Sequence, residues 1–126
     1  MTKLSIRIDF EPSGSALGPG MAQLLERVAE LGSIRRAAAS MDMSYRKAWL
    51  LIQALQKTFD GAVVTAEAGG VSGGGTQLTE LGTNLLKLYR RVEGRAADAT
   101  RADLETLAGM VRASAAPRRA GRKKKG

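Results

Sequence analysis

The sequence predicts a mainly α domain that carries a small β-hairpin and ends in a long helix. Three observations lead to this. Three amphipathic helical segments succeed one another across residues 21–58, separated only by tight breaks. A glycine-rich loop at 69–75 lies between two short β-prone runs. From residue 78 to 92, Leu and Val recur in alternating three- and four-residue steps. A chain of 126 residues suits one domain, and with 44% apolar residues but only two Phe, two Tyr and one Trp, its core is aliphatic.

In chain order, Leu4, Ile6, Ile8 and Phe10 alternate with Ser5, Arg7 and Asp9, the period-two pattern of a half-buried strand. The expectation is a third strand lying beside the later hairpin. Pro12, Gly14, Gly18, Pro19 and Gly20 break regular structure, so residues 11–20 read as a loop. Apolar residues at 21, 24, 25, 28 and 31 form one face of a first helix that stops near Gly32. Ser33 is a good N-cap for a short second helix through Met41, with Ile34, Ala37, Ala38 and Met41 facing inward. Asp42 and Met43 make a tight connection. Ser44 then caps a third helix to about Thr58, carrying Ala48, Trp49, Leu51, Ile52 and Leu55, and Asp60-Gly61 closes it. A lone Trp49 on the inward side reads as core. Residues 63–66 and 76–78 are the β-prone runs around the glycines. Thr79 can cap a last helix, with Glu80 favourable in its first turn. Gly94 and an Ala-rich stretch weaken the leucine seam before Leu104, Leu107 and Val111 resume it. The expected organisation is a domain over residues 1–116, including a dimerisation helix at about 79–113, and a disordered basic tail at 117–126.

The formal charge of +8 is unevenly placed. Arg118, Arg119, Arg122, Lys123, Lys124 and Lys125 fall in the tail, and residues 1–116 hold 14 basic against 12 acidic side chains. Within residues 33–58, however, five basic residues face a single acid, Asp42. A local basic excess points to a polyanionic partner. There is no Cys and no His, which excludes zinc fingers, thiol nucleophiles and imidazole bases. No carboxylate pair stands at a recognisable catalytic spacing, so no enzymatic activity, catalytic residue, metal or cofactor is expected. No segment approaches the roughly 18 consecutive apolar residues of a membrane span, and the N-terminus has no signal-type apolar block, so a cytoplasmic location with no membrane partner is expected.

A short helix, a tight turn and a second helix with an exposed basic leading turn form a helix-turn-helix. In that arrangement the second helix presents its first residues to base edges while the first crosses the backbone. Ser44, Tyr45, Arg46 and Lys47 make the leading turn. Ser44 and the free amides at the helix start suit a phosphate oxygen, Arg46 suits a bidentate contact to guanine, and Tyr45 or Lys47 suits a base or phosphate. Ser33, Arg35 and Arg36 are placed to clamp the backbone. The glycine loop has no Lys-Ser/Thr after it and is no nucleotide cradle. As a wing, Gly73, Gly74, Gly75 and Thr76 would let the hairpin tip approach a minor groove or phosphates closely. Leu81, Leu85, Leu88 and Val92 are the expected dimerisation seam. Three partners remain open from the residues alone: a specific duplex site, duplex DNA held without sequence preference through the basic tail, or a polypeptide.

The runs Gly32-Ser33-Ile34, Ala37-Ala38, Ser44-Tyr45-Arg46-Lys47-Ala48-Trp49, Gly73-Gly74-Gly75 and Leu78-Thr79-Glu80-Leu81-Gly82, in this order, resemble the winged helix-turn-helix of ModE-type molybdate-responsive regulators, and more distantly that of LysR-type proteins. The resemblance covers about residues 20–92. It implies a homodimeric transcription regulator that holds double-stranded DNA with its third helix and wing. ModE-type regulators carry a β-barrel oxyanion-binding module after this domain. Only about thirty residues follow Val92, without the alternating pattern of such strands. Molybdate sensing is therefore not carried over, and a standalone form answering to an unknown effector or protein partner is expected.

Overall fold

A computed structural model describes residues 3–67 and 75–112. Ser5–Glu93 forms one compact unit, and Gly94 onward belongs to a second. Among the described residues of the first unit the order is β1 (Ile8–Phe10), β2 (Ser15–Leu17), α1 (Pro19–Leu31), α2 (Ile34–Ser40), α3 (Tyr45–Thr58), β3 (Val64–Glu67), β4 (Gly75–Leu78) and the start of α4 (Glu80–Ala99). The fold is the expected one, mainly α with a wing-type hairpin, and it holds a second hairpin besides.

That second hairpin corrects the reading of the N-terminus. β1 pairs antiparallel with β2, Ile8 opposite Leu17, and neither joins the β3–β4 sheet. The reason is local. Gly14 adopts φ 81°, its amide donates to the Phe10 carbonyl at 3.1 Å, and the Ser13 hydroxyl donates to the same carbonyl at 2.8 Å. A turn that closes over four residues costs less chain entropy than pairing with a strand more than fifty residues away. Residues 11–20 are thus not all loop. The hairpin is held on α3 by Phe10 and Phe59, whose rings meet edge to face at 5.7 Å.

The three helices begin and end where their caps dictate. Pro19 opens α1, and Gly32 ends it in the left-handed region at φ 68°, its amide bonding to Val28 at 2.8 Å. The Ser33 and Ser44 hydroxyls accept the amides of Arg36 and Lys47, each at 3.0 Å. α1 packs on α2 and α3, and the core they share contains Leu24, Leu25, Val28, Ala37, Ala48, Ile52 and Leu55, all fully buried. Trp49 is partly buried against it. Small side chains at 37, 38 and 48 let aliphatic helices approach closely without voids.

β3 and β4 pair with Val64 opposite Leu78 and Glu67 opposite Gly75. The sheet is anchored to the helices at two points. The Thr76 amide donates to the Gly32 carbonyl at 2.9 Å, which ties β4 to the corner between α1 and α2. At the other end, the Thr79 amide donates to the Val63 carbonyl at 3.0 Å and its hydroxyl to the Ala62 carbonyl at 2.7 Å. The same hydroxyl oxygen accepts the Gly82 amide at 3.0 Å. Thr79 therefore caps α4 and latches it to the strand in one residue. Gly82 is required because α4 starts so close to β3 that a Cβ there would lie 2.2 Å from the Val63 carbonyl oxygen.

Further along α4, Tyr89 is 1% exposed and its hydroxyl donates to the Ile6 carbonyl at 2.7 Å, so the N-terminal segment is fastened to the core. Burial pushes its phenol pKa above the ordinary value, with the Glu93 carboxylate acting in the same sense. Arg90 bridges Glu26 on α1 at 2.9 Å and Glu93 at 3.0 Å. Burial opposes its charge, but these two carboxylates outweigh that and raise its pKa.

In the second unit the expected single helix over about 79–113 is interrupted. α4 ends at Ala99 and α5 runs over Arg101–Met110. Thr100, at φ −111° and ψ 14°, turns its hydroxyl back to the Ala96 carbonyl at 2.6 Å, a bond that competes with helix continuation. The basic tail at 117–126 lies outside the described residues, as do Gly73 and Gly74.

Replacing Gly82 by Ala forces its methyl into the Val63 carbonyl. The expected loss is about 2 kcal/mol or more, read as a lower denaturant midpoint with unchanged slope. An unchanged midpoint would refute the close approach.

Candidate nucleic-acid interface

Two helix starts, those of α2 and α3, are brought together by the turn between them. Met41 and Met43 both donate their amides to the Ala38 carbonyl at 3.0 Å, and Asp42 donates to Ala39 at 3.2 Å. Asp42 reaches φ 55°, a left-handed conformation that Asp tolerates better than most side chains. The connection is thus rigid at the level of the backbone.

Its consequence is visible in the side chains. The Arg35 guanidinium, on the first turn of α2, sits 4.3 Å from the centre of the Tyr45 ring on the first turn of α3. Tyr45 in turn meets Trp49 edge to face at 6.4 Å. Trp49 carries Tyr45, and Tyr45 carries Arg35. This stack joins residues that the sequence had separated into a backbone clamp and a reading turn.

Arg35, Arg36, Arg46 and Lys47 are all exposed, and among the described residues no carboxylate lies within ion-pair distance of them. Ser44 uses its oxygen to accept the Lys47 amide, which leaves its O–H free to donate to an anion. The first amides of α3 have no intrahelical partner, and the helix dipole adds partial positive charge there. Of the predicted residues, Arg35 and Tyr45 are thus brought into contact, with Ser33 and Arg36 on the first turn of α2 and Ser44, Arg46 and Lys47 at the start of α3 beside them in the chain.

The predicted wing residues differ from these. Gly75 and Thr76 are half-buried at the loop end of the paired strands, and the Thr76 amide is already committed to Gly32. The expected seam on α4 also divides. Leu85 is buried and Leu81 partly buried against the domain's own core, whereas Leu88 and Val92 remain 52% and 44% exposed. Two residues escaped the sequence reading. Tyr89 belongs to the core, and its four-residue step from Leu85 was the available signal. Leu50 is exposed on α3, and its steps of three and four from Lys47 and Arg46 mark the outward face.

These features define a winged helix-turn-helix with a cationic leading turn on α3. Residues 21–83 match the bacterial regulatory helix-turn-helix protein, lysR family, and the chain belongs to that family. Its helix-turn-helix is of the ModE type. It is 40% identical over 93 residues to the molybdenum transport protein ModE of Azotobacter vinelandii, covering 74% of this chain and 33% of that protein. It is 39% identical over 72 residues to the molybdenum transport protein ModE of Herbaspirillum seropedicae, covering 57% and 27%. The DNA-binding transcriptional dual regulator ModE of Escherichia coli is 35% identical over 71 residues, covering 56% and 27%. The chain spans about a third or less of the length of these relatives. No helix among the described residues is long and apolar enough to cross a membrane.

Ser44→Ala removes the acceptor for the Lys47 amide and is expected to cost about 1 kcal/mol in urea unfolding, whereas Ser44→Asp, an equally good cap, keeps the stability. Equal losses in both variants would contradict the capping role.

Proposed function

We propose that this chain binds double-stranded DNA sequence-specifically as a homodimer and regulates transcription. α3 lies in the major groove and the β3–β4 hairpin on the backbone or minor groove. The observation that carries this reading is the Arg35–Tyr45 stack, which brings the capped start of α2 to the capped start of α3, where Arg35, Arg36, Arg46 and Lys47 are exposed and have no carboxylate within ion-pair distance among the described residues. Arg46 on the leading turn suits a bidentate contact to guanine, and Arg35, Arg36 and the Ser44 hydroxyl suit flanking phosphates. Phosphate contacts position the helix, and base contacts make the choice.

The homodimer rests on Leu88 and Val92. They stand exposed one turn apart on α4, while Leu85 on the same seam is already used by the core. Paired reading helices would then meet half-sites about one duplex turn apart. The ModE relatives support transcription regulation, one of them being described as a DNA-binding dual regulator. No enzymatic activity is proposed, and the location that fits this role is the cytoplasm.

Selection from random duplex DNA at about 150 mM salt, where weak surface electrostatics are screened, tests the reading. One two-fold symmetric motif is expected, preferred by a ratio on the order of 10³ or more over random duplex. Arg46→Ala should abolish that preference while leaving weaker, salt-sensitive binding. DNA retained without a motif would favour a nonspecific binder acting through the basic tail, and no retention would favour a polypeptide partner.

A further inference from the structure

α3 carries one large apolar side chain on its outward face. Leu50 is 51% exposed, whereas Ala48, Ile52 and Leu55 of the same helix are fully buried. At about 100° per residue, Leu50 lies almost opposite the centre of that buried arc. It therefore occupies the middle of the face turned away from the core. Arg46, Lys47, Gln53, Ala54 and Lys57, all exposed, surround it.

A single surface leucine requires no explanation by itself. The position of this one does. On the reading proposed above, the outward face of α3 enters the major groove, and the middle of that face reaches base edges while its margins reach phosphates. Leu50 lies one helical turn, about 5–6 Å along the axis, beyond Arg46. A leucine offers neither donor nor acceptor, so it satisfies no hydrogen-bonding base edge. Set against the guanine or cytosine edge it would strip water from polar atoms and return nothing. The methyl group that the major groove does offer is the C5 methyl of thymine.

We propose that Leu50 is a specificity-determining residue that packs on a thymine methyl next to the base pairs reached by Arg46 and Lys47. This inference rests on the DNA-reading function proposed above. It adds an apolar determinant to a site otherwise built from charge, and it selects both for thymine and against a guanine–cytosine pair at that step. Ala54, exposed one turn further on, extends the apolar strip and adds no hydrogen-bonding group.

The test uses the full chain and the selected duplex, with each thymine replaced in turn by deoxyuridine, which deletes the methyl and keeps the pairing. For the unaltered protein, one replacement per half-site should weaken binding about three- to tenfold, the worth of one buried methyl. Leu50→Ala should bind thymine and deoxyuridine equally at that step and retain the guanine preference that depends on Arg46. Leu50→Met, unbranched but apolar, should keep the discrimination, and the circular dichroism of both variants should match the parent. Leu50→Ala with the parent's thymine-to-uracil ratio overturns the inference, as does a motif in which no thymine methyl matters. In both of those cases the DNA-reading function survives. A selection that yields no motif overturns both together.

Discussion

The turn at residues 41–43 is the constraint on which the rest of the interface depends. Two amides converge on the Ala38 carbonyl, and Asp42 takes a left-handed conformation between them. That backbone arrangement sets how α3 leaves α2, and hence whether Arg35 can reach the Tyr45 ring. Without it, the two capped helix starts would still form, because Ser33 and Ser44 act locally. They would not meet at the Arg35–Tyr45 stack. The buried alanines at 37, 38 and 48 complete the arrangement by letting the helices lie close enough for a four-residue connection to span them.

A second constraint acts on the other side of the domain. Val63 receives the Gln56 side-chain oxygen on its amide at 3.1 Å and the Thr79 amide on its carbonyl at 3.0 Å. With Gly82 pressed against the same carbonyl, three elements are joined at one residue: the end of α3, the start of β3 and the start of α4. The Leu-Thr-x-Leu-Gly run has a plain physical meaning in this light. Thr79 is a cap and a latch, Gly82 is the clearance, and Leu78 and Leu81 pack against the core. The β3–β4 hairpin and α3 are thereby tied to the same core.

Much of this was legible in the sequence, and the reason is the strength of the local signals. Ser33, Ser44 and Gly32 announce helix ends through capping chemistry that operates within four residues, and the observed boundaries fall there. The three-residue β2 was not legible, because Ser15, Ala16 and Leu17 stand between glycines and carry no alternation to detect. The pairing of β1 was misread for a related cause: strand pattern reveals that a segment is extended but not which edge it finds. Tyr89 and the division of the α4 seam depend on tertiary packing, since spacing alone cannot tell a leucine that meets its own core from one that stands exposed. Leu50 was not legible for the same reason, since a leucine among cations on a helix reads as core until packing shows that it stands outside.

On the function proposed above, the starts of α2 and α3 together form the DNA-contacting surface. Amide chemical-shift mapping of the isotope-labelled chain, titrated with the selected duplex, tests it most directly. The largest changes are expected at residues 33–36 and 44–47, with smaller ones at the loop end of the β3–β4 hairpin near Thr76 and little at α5. Changes concentrated on α5, or spread evenly over the chain while residues 44–47 stay still, would contradict it.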